Sequence, residues 1–245
     1  MKRFLFLPVF FLLVASLSVA TGADRAPNLL NPGTVPNSLA FLPEPPAEGS
    51  IDFKRDQDTY LETRKLAGTG KWEQAAFDAD RRANWPDFFR DAFGMSITRE
   101  KTPFTYDLLS KAFPDFNAAA APAKNHYNRT RPYRYYNSPG STCLPKDEER
   151  LSNNGSYPSG HSGYGWGMAL ILAEISPERQ DAIMKRGYEF GYSRVVCGYH
   201  WVSDVDAGRL VAAAVVAQMH NNSVFTDLLA KAKAEIREAR EKAKP

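Results

Sequence analysis

The chain has 245 residues, enough for one domain with a sizeable core, and 43% hydrophobic against 24% charged residues is an ordinary soluble composition. A formal net charge of only +3 argues against a polyanion-binding surface, so no nucleic-acid partner is expected.

Lys2 and Arg3 make a short basic start, residues 4–20 run almost without polarity, and small residues follow at Ser18, Ala20 and Ala23. This three-part pattern predicts a signal peptide over residues 1–20, cleaved after Ala20 or Ala23. An uncleaved anchor is the competing reading, although the apolar run is short for a bilayer. No later segment is apolar enough to span a membrane, so an exported protein free of the membrane after cleavage is expected.

Residues 21–55 are expected to be a Pro-rich arm, with a domain over 56–245. Short helix-compatible segments lie near 58–68, 71–82 and 86–93. A longer helix is expected over 105–121, with Leu108, Leu109, Ala112 and Phe113 as its apolar stripe. Residues 123–131 read as a separate helical stretch stopped by Pro132. Residues 133–158 read as loop. Helices are expected over 160–175, 178–196, about 200–220 and 223–242, the last with a solvated charged face. No β-alternation recurs, so the expected fold class is all-α, a single-domain helical bundle.

Three clusters carry chemistry. Lys124 and Arg131 are seven residues apart, two turns if both lie on one helix, so both cations would point the same way. The plain alternative is a solvated surface. Gly155-Ser156-Tyr157-Pro158-Ser159-Gly160-His161 sits where a loop opens a helix. Ser159 suits a cap, Gly160 admits close approach, and the free N–H groups of the first turn form an anion cradle. A capped helix start with an exposed His161 is the plain alternative. Ser193 and Arg194 precede His200 and Asp204, which are four residues apart and so neighbours on a helix face. A carboxylate on one ring nitrogen fixes the tautomer and leaves the other nitrogen free to attack. Arg194 offers a planar fork to phosphate oxygens. The plain alternative is a structural His–Asp hydrogen bond. His126 and His220 lack such a setting and read as surface or core residues.

Cys143 and Cys197 would be exported into an oxidising compartment, where pairing is expected. Two buried free thiols are the other reading.

Together, Lys124-x6-Arg131-Pro132, Pro158-Ser159-Gly160-His161 and Ser193-Arg194-x5-His200-x3-Asp204 resemble the signature of the PAP2 phosphatase and vanadium haloperoxidase superfamily. The stretches 154–161, 185–189 and 196–201 resemble the bacterial class A nonspecific acid phosphatases in particular. The resemblance implies a periplasmic, metal-independent acid phosphatase with no cofactor. It implies His200 as nucleophile, Asp204 as its orienting partner and His161 as the acid. Lys124, Arg131, Ser159, Gly160 and Arg194 would hold phosphate. Small phosphomonoesters are the implied substrates: nucleotides, sugar phosphates and aryl phosphates. Phosphotransfer to alcohols and homo-oligomers are further expectations. Ser162 stands where these relatives usually have Thr, and both residues 113–121 and the stretch Arg81-Arg82-Ala83-Asn84-Trp85-Pro86 depart from them. A vanadate-dependent haloperoxidase and a non-catalytic oxyanion binder are the rival readings.

Overall fold

The computed structural model describes residues 28–80 and 85–243. The expected signal peptide, its cleavage points at Ala20 and Ala23, and residues 81–84 lie outside the described residues. Among the described residues every regular element is helical. In chain order these are α1 (Ser38–Phe41), α2 (Ile51–Arg64), α3 (Gly70–Ala79), α4 (Arg90–Phe93), α5 (Pro103–Tyr127), α6 (Pro132–Tyr135), α7 (Glu148–Ser152), α8 (Gly160–Ile175), α9 (Gln180–Val196), α10 (Val202–Met219) and α11 (Ser223–Lys242).

α8 is the central helix, packed against α5, α9 and α10. Buried residues occur on all its sides from His161 to Ile175, as expected of a helix that is apolar all round. α11 is its opposite: Phe225, Leu229, Ala232 and Ile236 recur at helical spacing and are buried, while its charged face stays in water. α8 and α10 meet through glycine. A Cβ on Gly208 would lie 2.4 Å from the Ser159 carbonyl oxygen, and one on Gly163 would lie 2.9 Å from the Gly208 carbonyl oxygen. That approach lets the Ser159 N–H donate to the Asp204 carbonyl at 2.8 Å. The N-terminus of α8 is thereby joined to the first turn of α10.

The break expected between residues 121 and 123 is absent. α5 runs unbroken through Pro114 and Pro122 and ends at Tyr127, followed by Asn128 in the left-handed conformation (φ 40°, ψ 42°). An interior proline costs about 3 kcal/mol. The buried stripe of α5 includes Leu108, Leu109 and Phe116, and each large side chain contributes roughly 1.5–3 kcal/mol. Burial therefore outweighs the two prolines. Just past Pro122, the Ala123 N–H donates to Ser38 Oγ at 3.1 Å.

Three other boundaries move. α2 begins at Ile51, not near 58, because Ser50 caps it by accepting the Phe53 N–H at 3.1 Å. The division expected at residue 56 therefore falls inside this helix. The stretch read as loop over 133–158 contains α6 and α7, both too short to show a period. The arm is tied down: Leu29 and Leu30 donate their N–H groups to Asp115 Oδ2 at 3.0 and 3.1 Å, and both side chains join the core. Cys143 and Cys197 form a disulfide, with Cα atoms 4.6 Å apart.

Candidate active site

A cleft of about 520 Å³ opens between α5, the segment after α7, α8 and the turn before α10. Lys124, Arg131, Gly160, His161, Arg194 and His200 all line it. The three clusters, spread over 81 residues of chain, thus share one cavity. Ser159 and Asp204 are fully buried behind it.

Lys124 and Arg131 arrive by a route the spacing did not indicate. The shared helix face expected for them does not exist, because α5 ends at Tyr127 and Arg131 precedes α6 as its cap residue. The left-handed Asn128 turns the chain, and the convergence is tertiary. Lys124 Nζ donates to the Gly155 and Pro158 carbonyls at 2.8 and 2.7 Å. An ammonium has three donors, so one remains for a ligand. Burial pushes the Lys124 amine down to about 7, Arg131 adds to this, and Asp204 opposes it.

Arg131 is buried and braces the surrounding loops. Its Nε donates to the Leu151 and Asn154 carbonyls at 2.9 and 3.0 Å, and Nη1 donates to the Tyr199 carbonyl at 3.0 Å. Nη1 also lies 3.2 Å from His200 Nε2. The Nη2 contacts are longer, 3.3 Å to Asn154 Oδ1 and 3.4 Å to the Gly155 carbonyl. Burial lowers the Arg131 pKa to about 10, still charged at neutral pH.

His200 is placed by the end of α9. Gly198 adopts φ 86°, a left-handed turn that suits glycine, and the Tyr199 and His200 N–H groups both return to the Arg194 carbonyl. The Arg194 guanidinium stacks over the Tyr199 ring at 4.7 Å. His200 Nδ1 faces Asp204 Oδ2 at 3.3 Å. A guanidinium can only donate, so Arg131 requires a bare lone pair on His200 Nε2, and the ring proton sits on Nδ1 toward Asp204. Burial holds His200 well below the usual histidine value, and Arg131, Lys124 and Arg194 reinforce this while the Ser156 main chain pulls the other way.

His161 lies in the first turn of α8, behind the Ser159 cap, whose Oγ accepts the Ser162 N–H at 3.2 Å. Ser159 Oγ also pairs with Ser162 Oγ at 2.8 Å, so Ser162 supports the cap. The His161 ring stacks parallel on Phe190 at 4.8 Å, and Nε2 donates to the Asp78 carbonyl at 2.7 Å. His126 and His220 are both exposed; His220 meets Glu174 at 3.0 Å, outside the cleft.

Several partners escaped the sequence reading. Asp78, on α3, is bound by Arg186 and by Ser193 Oγ at 2.6 Å, and so steadies the carbonyl that holds His161. Arg150 lines the cleft, half-exposed, with Asp147 at 3.1 Å. Arg129 lies behind the site and reaches Asp204 Oδ1 at 2.7 Å and Asp56 Oδ2 at 2.8 Å. Only Arg129 left a trace in the sequence, as a second arginine two residues before Arg131. Asp56 and Asp78 are brought in from distant helices and carry no local signature.

A family model described as the PAP2 superfamily matches residues 108–225, which include every cleft residue from Lys124 to His200. A non-specific acid phosphatase of Providencia stuartii is 50% identical over 201 residues, covering 81% of this chain and 80% of that protein. The chain belongs to the PAP2 superfamily and to its non-specific acid phosphatases. A second such phosphatase, from Salmonella typhimurium, is 40% identical over 228 residues, covering 92% of this chain and 90% of that protein. An acid phosphatase of Zymomonas mobilis is 38% identical over 203 residues, covering 82% and 76%. In this phosphatase, no helix among the described residues is long and apolar enough to cross a membrane.

Proposed function

We propose that this phosphatase hydrolyses small phosphate monoesters through a phosphohistidine on His200. The observation that carries the reading is the setting of that ring: Nδ1 faces Asp204 Oδ2 at 3.3 Å and Nε2 lies 3.2 Å from Arg131 Nη1, in a cleft ringed with cations. Nε2 attacks phosphorus in line as the bond to the leaving oxygen breaks. Asp204 accepts the Nδ1–H and balances the charge that the ring acquires. Lys124, Arg194 and the weakly engaged Nη2 of Arg131 take the nonbridging oxygens, with the Gly160 N–H at the start of α8. His161 gives a proton to the leaving alkoxide and recovers one from the water that later cleaves the phosphoenzyme. Its ring is held in the cleft by the Nε2 bond to the Asp78 carbonyl at 2.7 Å. A periplasmic location, broad substrates and phosphotransfer to alcohols belong to the same reading.

The test is a pH profile of p-nitrophenyl phosphate hydrolysis, run with and without EDTA and with added vanadate. His200 reacts as the neutral ring, and its pKa lies below the ordinary 6.5. The acid limb of the profile therefore falls below that value. Lys124, at about 7, sheds its charge as pH rises past neutrality, which weakens phosphate binding there. Activity is expected to peak on the acid side, to be unchanged by EDTA, and to be inhibited by vanadate. An alkaline optimum with EDTA sensitivity would point to different chemistry. Bromide oxidation with vanadate would favour the haloperoxidase alternative.

His161→Ala is expected to slow alkyl phosphates by roughly 10²–10⁴-fold and p-nitrophenyl phosphate much less, because only the poor leaving group needs the proton. An equal loss on both substrates would remove the acid role.

A further inference from the structure

Behind the cleft lies a buried network of charged side chains. Asp204 has both oxygens engaged. Oδ2 accepts the Trp201 N–H at 2.8 Å and faces His200 Nδ1, while Oδ1 accepts Arg129 Nη1 at 2.7 Å. The same Nη1 donates to Ser203 Oγ at 2.7 Å, and Nη2 donates to Asp56 Oδ2 at 2.8 Å. Asp56 closes the ring by accepting the Ser203 N–H at 2.9 Å on Oδ1 and the Ser203 hydroxyl at 2.5 Å on Oδ2. Asp56 and Asp204 are fully buried, and the Arg129 side chain is 9% exposed. Its guanidinium is packed between Trp201 at 5.5 Å and Phe53 at 5.7 Å. Arg129 does not line the cleft.

We infer that Arg129, anchored by Asp56, is a positioning residue that holds and aims the Asp204 carboxylate, and so sets the tautomer of His200. The inference rests on the phosphohistidine reading above. A buried carboxylate without a cation tends to take up a proton. Protonated Asp204 cannot hold the Nδ1–H as an ion, and the ring is then free to turn or to adopt the other tautomer. The groups that face Asp204 are Arg129 from the loop after α5, Lys124 on α5, Arg131 before α6, Tyr157 ahead of α8, His200 ahead of α10, and, through Arg129, Asp56 on α2. Of these, only Arg129 is a cation bonded to the carboxylate. Lys124 and Arg131 point into the cleft, where phosphate takes their charge.

The experiment compares Arg129→Met, Arg129→Lys and Asp56→Asn with the unmodified chain and with His200→Ala. It measures kcat, the acid limb of the pH profile, and the affinity for inorganic phosphate. Arg129→Met is expected to lower kcat by about 10²-fold and to move the acid limb upward, because the Asp204 carboxylate loses the cation bonded to it. Phosphate affinity stays within about threefold, since the cleft cations remain. Arg129→Lys keeps the charge, so its limb is expected to stay near the original and its kcat to recover in part. Asp56→Asn removes a neighbouring negative charge, so kcat falls by roughly fivefold without an upward shift of the limb.

A merely structural role would lower thermal stability and the active fraction together and leave the pH profile unmoved. That result, or an unchanged kcat in folded Arg129→Met, overturns the inference. If Arg129→Met fails to fold, an unchanged kcat in Asp56→Asn does the same. If His200→Ala keeps its activity, the phosphohistidine reading itself fails and takes this inference with it. An inactive His200→Ala beside normal Arg129 variants condemns the inference alone.

Discussion

His200→Ala is expected to lose turnover by about 10⁴-fold or more while still binding inorganic phosphate. The separation of the two effects is the informative part. The cations proposed to hold phosphate belong to other elements: Lys124 to α5, Arg131 to the turn before α6, and Arg194 to the last turn of α9. Trimming the imidazole removes the attacking lone pair and leaves those groups in place. It also removes an acceptor from Arg131 Nη1, which keeps its bond to the Tyr199 carbonyl at 3.0 Å. Phosphate affinity should therefore change by less than about tenfold. Labelled substrate, quenched in alkali because phosphohistidine is acid-labile, should leave label on the unmodified chain and none on the variant. Stoichiometric labelling of His200→Ala would place the nucleophile elsewhere.

Replacing Cys143 and Cys197 together by serine is the change expected to cost the most stability, about 4 kcal/mol by loop-closure entropy for a sequence separation of 54. The bridge also lies close to the site in the chain. The enclosed segment holds Ser159, Gly160, His161 and Arg194, and Cys197 stands three residues before His200. The Cys143 N–H also donates to the Cys197 carbonyl at 3.0 Å, so the bridge pins the turn that presents His200. Denaturation in urea should show a lower midpoint, and the loss should be reproduced by a reductant acting on the unmodified chain. A midpoint unaffected by both would show that the bridge adds no stability.

The two expectations differ in how directly the sequence led to them. His200 and Asp204 were legible because an i, i+4 pair is a local relation, and Ser159 because a cap with free N–H groups behind it is written in consecutive residues. Lys124 and Arg131 share the cleft without sharing a helix face. Their spacing suggested one helix face, whereas the chain leaves the helix at Asn128 and reaches the cleft by a turn. The two interior prolines of α5 misled in the same way, since the propensity that they break is local and the burial that overrides it is not.

The sequence by itself determined the helical class and the main helices of the second half, and pointed to the paired cysteines and to the residues that line the cleft. Each of these rests on period, capping or short spacing, which the chain carries in its own order. Only the tertiary structure decided how the site is supported. Asp56 on α2 reaches Arg129 and Asp78 on α3 reaches His161, across gaps of 73 and 83 residues. No periodicity links such positions. A buried charge is tolerated where its counter-charge arrives from another element, and that is settled only when the helices pack.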